Sequence, residues 1–262
     1  MDIENCGSEP DVLRERLSLL KVPLDIIGLK DLGDIIRTLL DSGGGKNIVL
    51  LSLWDLLRAR SNKEYRAYVL SAALVIPISK SLVKGARFVS NKQVPRYMPF
   101  IFIVRLLANL EERELSLYLL GGKLQTLRKA EKNIRQTFPH LRIVGRYVGS
   151  FKKSQENSIL EAIRKASPSL LLVGKGIAGG EQWIAKHDAL LPGGIRLWCS
   201  DLYEIFAEQR KHPSQYAFDH GLEWIGLCLQ KPIRVFKVFP YLYYKSLLLA
   251  YRLFKHEDSC TK

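Results

Sequence analysis

Short apolar runs alternate with amphipathic stretches through most of the chain, from about Lys46 to Cys199. Runs of this kind, separated by helical stretches, are typical of the buried strands of a parallel sheet. The predicted strands are Ile48 to Leu51, Leu74 to Pro77, Leu115 to Leu120, Leu141 to Tyr147, Leu170 to Gly174 and Ile195 to Cys199. The alternation predicts an α/β fold with a Rossmann-like, doubly wound parallel sheet.

Apolar residues recur at helical spacing between the predicted strands. Leu124 to Phe138 has such a stripe, and Ser154 to Ala166 has another that includes Ile159 and Ile163. A further helix is predicted over Gln182 to Leu190. Because a spacing of three or four residues places these side chains on one helical face, each helix is expected to cover the sheet as a crossover.

The end of the chain differs in composition from the rest. From Lys231 onward, seven Lys and Arg residues are interleaved with seven aromatic residues. We therefore expect a polar N-terminal segment (1–20), an α/β domain (21–225) and a helical, basic and aromatic appendage (226–262). Tyr241 to Lys255 has the composition of a helix lying in a bilayer interface, and a core helix with a basic edge is the alternative.

Composition and charge narrow the partners. The 262 residues include 40 Lys and Arg against 26 Asp and Glu, a net charge of +14. Such an excess favours phosphate-bearing partners, namely nucleic acid, nucleotide sugars, lipid diphosphates or an anionic membrane, and charge alone does not choose among them. Four scattered cysteines and a polar N-terminus without an apolar segment predict a reduced, cytoplasmic protein.

Two glycine-rich turns are the candidate phosphate sites. Gly121 and Gly122 follow one predicted strand, and Gly174 and Gly176 follow another, with Lys175 between them. Backbone amides in such turns, with a helix dipole behind them, are suited to bind phosphate. The alternative is an ordinary strand-to-helix turn that needs glycine for its backbone angles. Neither turn has the ending of a P-loop or the full dinucleotide-binding pattern.

Metal and hydrolase chemistry are not expected. No His, Cys and carboxylate residues stand at metal-ligand spacing, so neither a metal nor another cofactor is predicted. No G-x-S-x-G elbow occurs, which argues against a hydrolase of that type. His187 stands near Asp188 on a predicted helix, where a surface position is favoured.

Several segments, in order, resemble motifs of the WecG/TagA/CpsF family of bacterial glycosyltransferases. Leu119 to Gly122 resembles the family's glycine pair, and Phe138 to Gly145 resembles its "yPglrivG" segment. Ser167 to Gly176 is similar to "s.PdlllVglG", with Glu181 at the Glu position of the following "PkQE.Wi". Gly221 to Trp224 matches "GLEW". The resemblance extends over roughly 22–234.

This resemblance implies transfer of an N-acetylhexosamine-type sugar from a UDP donor to a polyprenyl-diphosphate-linked acceptor. It implies inversion, no required metal and a carboxylate base. It further implies nucleotide-sugar binding by the glycine turns with Glu181, and a tail that associates with the inner face of the membrane. The tail residues expected to meet lipid diphosphate and membrane are Arg234, Lys237, Lys245 and Arg252.

The departures from the family pattern lie at polar positions. Ile78 and Ser79 replace the Asp-Gly thought to hold the catalytic base, and an isoleucine cannot accept a proton. Two hypotheses follow: an active transferase whose base is Glu181 or Glu204, or a catalytically silent relative that binds nucleotide sugar or lipid or assists an active enzyme. Nucleic acid is not expected as a partner, whereas a homo-oligomer stays open.

Overall fold

The structure is a computed structural model, and it describes residues 14–28, 30–220 and 238–260. The elements are β1 (Arg14–Leu19), β2 (Val22–Ile27), α1 (Leu32–Asp41), β3 (Gly45–Leu51), α2 (Leu53–Ser61), α3 (Lys63–Ser71), β4 (Leu74–Pro77), α4 (Lys80–Ser90), α5 (Pro99–Glu112), β5 (Ser116–Leu120), α6 (Leu124–Thr137), β6 (Arg142–Tyr147), α7 (Glu156–Ala166), β7 (Leu170–Val173), α8 (Gln182–Lys186), β8 (Gly194–Trp198), α9 (Leu202–Phe206), α10 (Gln215–His220) and α11 (Val238–Cys260).

Six parallel strands form the central sheet in the order β4-β3-β8-β7-β5-β6. The predicted Rossmann-like class and all six predicted strands are confirmed. β3 begins at Gly45 rather than Ile48, and α8 ends at Lys186 rather than Leu190. The helix ends early because the chain turns at His187, whose carbonyl accepts from the amides of Leu190 and Leu191.

Each face of the sheet has its own core. α2, α3, α4, α7 and α8 cover the first face, where Val49 and Leu51 point, and α1, α5, α6 and α9 cover the second, where Ile48 points. Right-handed crossovers that run in opposite directions along a sheet leave their helices on opposite faces. The step from β5 to β6 therefore places α6 on the second face, and the step from β7 to β8 places α8 on the first.

An antiparallel hairpin of β1 and β2 lies beside the edge strand β4. Asp25, which is fully buried, accepts from the Arg16 guanidinium at 2.7 Å and from the Val75 amide at 2.6 Å, so it joins the hairpin to β4. The strand pattern did not predict this hairpin. Its turn consists of Leu20 (φ 52°) and Lys21 (φ 64°), neither of them a residue that commonly takes positive φ.

The appendage is helical where it is described, as predicted, and α11 packs against α4. Tyr244 is almost fully buried, and its hydroxyl donates to the Ser81 carbonyl at 3.2 Å. Gly85 provides the space, because a Cβ there would lie 2.9 Å from Tyr244 Cζ. Among the helices of residues 14–28, 30–220 and 238–260, none is long and apolar enough to cross a membrane.

Candidate functional site

The polar candidates lie beyond the carboxyl ends of the strands. Ligands of open α/β sheets bind at this edge, in the crevice where neighbouring strands send their helices to opposite faces. β7 and β8 are neighbours with this arrangement, since α8 covers the first face and α9 covers the second. Glu181 precedes α8, and Glu204 lies within α9.

Glu181 is held by residues of α2 and α3. Its side chain is only 12% exposed, and Oε1 lies 3.0 Å from Nη1 of Arg58. The Arg58 guanidinium stacks over the Tyr65 ring, 4.3 Å from its centroid. Residues 58 and 181 meet because α2 and α8 cover the same face of the sheet. The arrangement fixes a carboxylate beside one cation and one phenol.

Burial raises the pKa of Glu181 to about 7, and the negative charge of Asp55 adds to the rise, whereas Tyr65 and Arg58 oppose it. The Tyr65 hydroxyl is buried and has no hydrogen-bond partner among the described residues. It nevertheless lies close enough to Glu181 to favour the ionised form of that carboxylate. A carboxylate that titrates near neutral pH can take up and release a proton under working conditions, as a general base must.

Asp55 closes the other side of this cluster. It accepts from the Ser52 hydroxyl at 2.5 Å and from the Ser52 amide at 2.8 Å, so the two residues form a capping box at the start of α2. Burial raises the pKa of Asp55, while its bonds to Ser52 lower it. Ser52 therefore acts as the N-cap of α2.

Glu204 belongs to the opposite face. Its neighbours Leu202, Tyr203 and Phe206 lie in the second core. The Oε2 atom of Glu204 is buried without a hydrogen-bond partner in the described part of the chain. The structure therefore does not unite the two candidate carboxylates in one cluster: Glu181 is paired with Arg58, and Glu204 has a buried, unsatisfied oxygen.

The glycine turns are packed against one another. The amides of Gly121 and Gly122 donate to the carbonyls of Tyr147 and Lys175 at 2.9 and 2.6 Å, and the Gly174 amide donates to Leu120. A Cβ on Gly121 would lie 2.8 Å from the Gly174 backbone, and one on Gly176 would lie 3.4 Å from Gly149. Close packing thus accounts for these glycines, and their predicted role in nucleotide-sugar binding stays a prediction.

Ile78 packs against the second core, on the opposite side of the sheet from Glu181. Its carbonyl accepts from Nε of Arg96 at 2.9 Å. Arg96 also stacks over the Phe218 ring and donates to the Phe218 carbonyl, and Lys80 donates to the Asp219 carbonyl at 2.8 Å. These two cations hold the end of α10 against the turn that follows β4.

Cysteine and metal-ligating side chains were also candidates for chemistry. Burial raises the pKa of Cys199 to about 12, so its thiol is protonated at neutral pH. Within the described ranges, no group of three or more His, Cys, Asp and Glu residues could hold a metal ion.

Comparison of the sequence with known proteins identifies relatives of this chain. The sequence profile of the glycosyl transferase WecG/TagA/CpsF family matches residues 17–258. The chain belongs to this family. One relative, the N-acetylglucosaminyldiphosphoundecaprenol N-acetyl-β-D-mannosaminyltransferase of Bacillus spizizenii, is 21% identical over 225 residues, which cover 86% of this chain and 85% of that protein.

The structure describes only some of the residues predicted near the C-terminus. Arg234, Lys237 and the Gly221 to Trp224 motif lie outside the described residues. Lys245 and Arg252 of α11 are exposed, and the Arg252 guanidinium stacks over the Phe88 ring of α4. Sequence analysis missed Arg58, Asp55 and Tyr65. These residues have ordinary helical spacing, so no local pattern in the sequence marks them as site residues. They become recognisable only in the fold, where α2, α3 and α8 meet.

Proposed function

We propose that this protein transfers an N-acetylhexosamine-type sugar from a UDP donor to a polyprenyl-diphosphate-linked acceptor, with Glu181 as the general base. The observation that carries the proposal is the buried Glu181 carboxylate, with a pKa of about 7, held by Arg58 at the ligand-binding edge of the sheet. Family membership supports glycosyl transfer, and the name of the Bacillus spizizenii relative supports a lipid-diphosphate acceptor.

In the proposed step, an acceptor hydroxyl oxygen attacks the anomeric carbon from the side opposite UDP. The bond from that carbon to the diphosphate oxygen breaks, its electron pair leaves with UDP, and Glu181 takes the hydroxyl proton. Arg58 keeps Glu181 in place. Because the amides of Gly121, Gly122 and Gly174 are already bonded, we assign phosphate recognition to the turn at Gly176 together with two exposed cations at the same edge, Lys123 and Lys175.

Incubation of the purified protein with a panel of UDP-N-acetylhexosamines and an acceptor that carries a short polyprenyl diphosphate tests this proposal. The expected result is a glycosylated lipid and one UDP per sugar transferred, measured by mass spectrometry and UDP release. Absence of both product and donor hydrolysis with every donor would contradict it.

A catalytically silent relative is the second candidate, and the apolar Ile78 in place of the family's Asp favours it. Loss of a general base typically costs a factor of 10² to 10⁴ in rate. The protein is therefore an active transferase only if another carboxylate takes over the role of that Asp. Binding of UDP-sugar in a thermal-shift assay without any transfer would support this role as a binding protein or as the partner of an active enzyme.

We further propose that α11 holds the protein peripherally on the cytoplasmic face of an anionic membrane. While Tyr244 and Leu248 are buried against α4, Leu242, Tyr243 and Leu249 on the same helix are each more than half exposed. Lys245 and Arg252 are exposed beside them. Apolar and aromatic residues flanked by cations suit a lipid interface, where each cation adds about 1 kcal/mol near anionic lipid.

Replacement of both Leu242 and Leu249 by Ser is expected to weaken co-sedimentation with anionic vesicles at least about tenfold, because the two side chains supply exposed apolar area. The matched control is Leu190→Ser, another exposed leucine, 56% accessible, outside the appendage. Unchanged vesicle binding would contradict the proposal. A change in oligomeric state without lipid would instead assign this face to contact between copies of the chain.

A further inference from the structure

The helix that follows Glu181 cannot by itself hold that residue in place. α8 has only five residues, and isolated helices of that length are unstable. The loop before it contains Gly176, Gly179 and Gly180, all at positive φ, and glycine is the least restrained residue. Since the proposed base stands between this loop and this short helix, its position depends on contacts from elsewhere in the fold.

Besides Arg58 of α2, which pairs with Glu181 itself, α7 supplies such a contact. Glu156, the first residue of α7, accepts a hydrogen bond from the indole Nε1 of Trp183 at 2.8 Å. The same carboxylate oxygen, Oε1, lies 3.5 Å from Nε2 of His187. Trp183 is two residues after Glu181, so this bond fixes the first turn of α8 directly.

His187 completes the contact at the other end of the helix. It is buried, which corrects the expectation of a surface position, and the reason is that its ring packs 4.7 Å from the Trp183 ring. Its Nδ1 lies 2.8 Å from the Trp183 carbonyl, so the side chain also satisfies the end of α8. Glu156, Trp183 and His187 thus form a latch between α7 and α8.

We propose that Glu156 is a positioning residue that acts through the Trp183 indole to hold the Glu181 carboxylate against Arg58 and Tyr65. This inference rests on the proposed role of Glu181. Glu156 itself is mostly buried, with a side chain that is 18% exposed, and its Oε1 accepts from the Trp183 indole. Loss of the latch frees the start of α8, and a displacement of about 1 Å in a catalytic group can cost on the order of 10²-fold in rate.

Three variants separate positioning from mere stability. Glu156→Ala removes the acceptor, and Trp183→Phe removes only the indole N–H while keeping an aromatic ring. Glu156→Gln is the matched control, because its amide oxygen can still accept from Trp183, whereas it loses the negative charge in the first turn of α7 just as the alanine variant does.

The primary measurement is the titration midpoint of the Glu181 carboxyl carbon by ¹³C NMR, assigned by comparison with Glu181→Gln. The midpoint is expected near 7 in the unaltered protein. In Glu156→Ala and Trp183→Phe it is expected to fall toward the ordinary value of about 4.3, because the freed carboxylate gains water. Glu156→Gln is expected to keep the midpoint.

The transfer assay adds a second measurement. The turnover rate is expected to fall roughly 10- to 100-fold in Glu156→Ala and Trp183→Phe, with the KM for donor little changed and with recovery in Glu156→Gln. An unchanged midpoint in both disruptive variants would overturn the inference. If the midpoint responds but the unaltered protein transfers no sugar, the proposed function fails while the latch stands.

Discussion

Glu181→Gln is expected to lower the rate of sugar transfer by about 10²- to 10⁴-fold, the usual cost of losing a general base. Glutamine keeps the shape of the side chain and can still accept a hydrogen bond from Arg58, yet it cannot take a proton. The rate of the unaltered enzyme should rise as pH increases toward 7 and level off above it, because the ionised form is the active one. The residual rate of the variant should lack that rise.

The stability of the folded protein should fall over the pH range in which the transfer rate rises. Because the pKa of Glu181 is raised in the folded state above its ordinary value near 4.3, the folded protein binds this proton more tightly than the unfolded chain does. The contribution to stability is complete below pH 4 and is lost as pH rises to about 7. Glu181→Gln is therefore expected to unfold at a higher temperature than the unaltered protein at pH 8.

Two further carboxylates serve as comparisons for this experiment. Glu161 is an exposed residue of α7 that pairs with Arg164, and Glu161→Gln should leave transfer unchanged. Glu204 is the other candidate base. If Glu204→Gln stops transfer and Glu181→Gln does not, the base belongs to α9 and the role proposed for Glu181 is wrong.

Gly121→Ala is expected to destabilise the fold by at least about 3 kcal/mol, the sum of backbone strain and overpacking. Gly121 has φ 128°, and an added Cβ would lie 2.8 Å from the N, Cα and C atoms of Gly174. Backbone cannot swing aside as the end of a side chain can. The loops after β5 and β7 would have to separate, with a fall in Tm of roughly 6–12 °C.

Gly43→Ala is the matched control for that measurement. Gly43 also has positive φ, 63°, but a Cβ there would have no atom within 4 Å. Its cost is therefore the conformational term alone, about 1–2 kcal/mol. Equal Tm values for the two alanine variants would show that the contact between Gly121 and Gly174 does not limit stability.

Most of the sheet was predictable because each buried strand carries its own apolar run. The run from Leu170 to Val173 is apolar at every position, as a strand covered on both faces requires. The hairpin of β1 and β2 was missed because its turn uses Leu20 and Lys21 in place of glycine or asparagine, and its docking depends on the bond from the Val75 amide to Asp25, 50 positions apart in the sequence.

The site was predictable only in part. Glu181 was a candidate through its place in a family motif, but its partner Arg58 stands 123 positions earlier in the chain. His187 was expected at the surface, and it is buried because α7 and α8 close around it. No local pattern carries either fact, since both depend on which helices share a face.

The sequence by itself determined the fold class, the glycine turns and the family, because apolar periodicity and motif order are local properties of the chain. Only the tertiary structure decided what surrounds each polar group. The strand order β4-β3-β8-β7-β5-β6 places α2, α7 and α8 on one face and α9 on the other. That order assigns Arg58 and Glu156 to the surroundings of Glu181, because burial and electrostatic fields depend on distance in space and not along the chain.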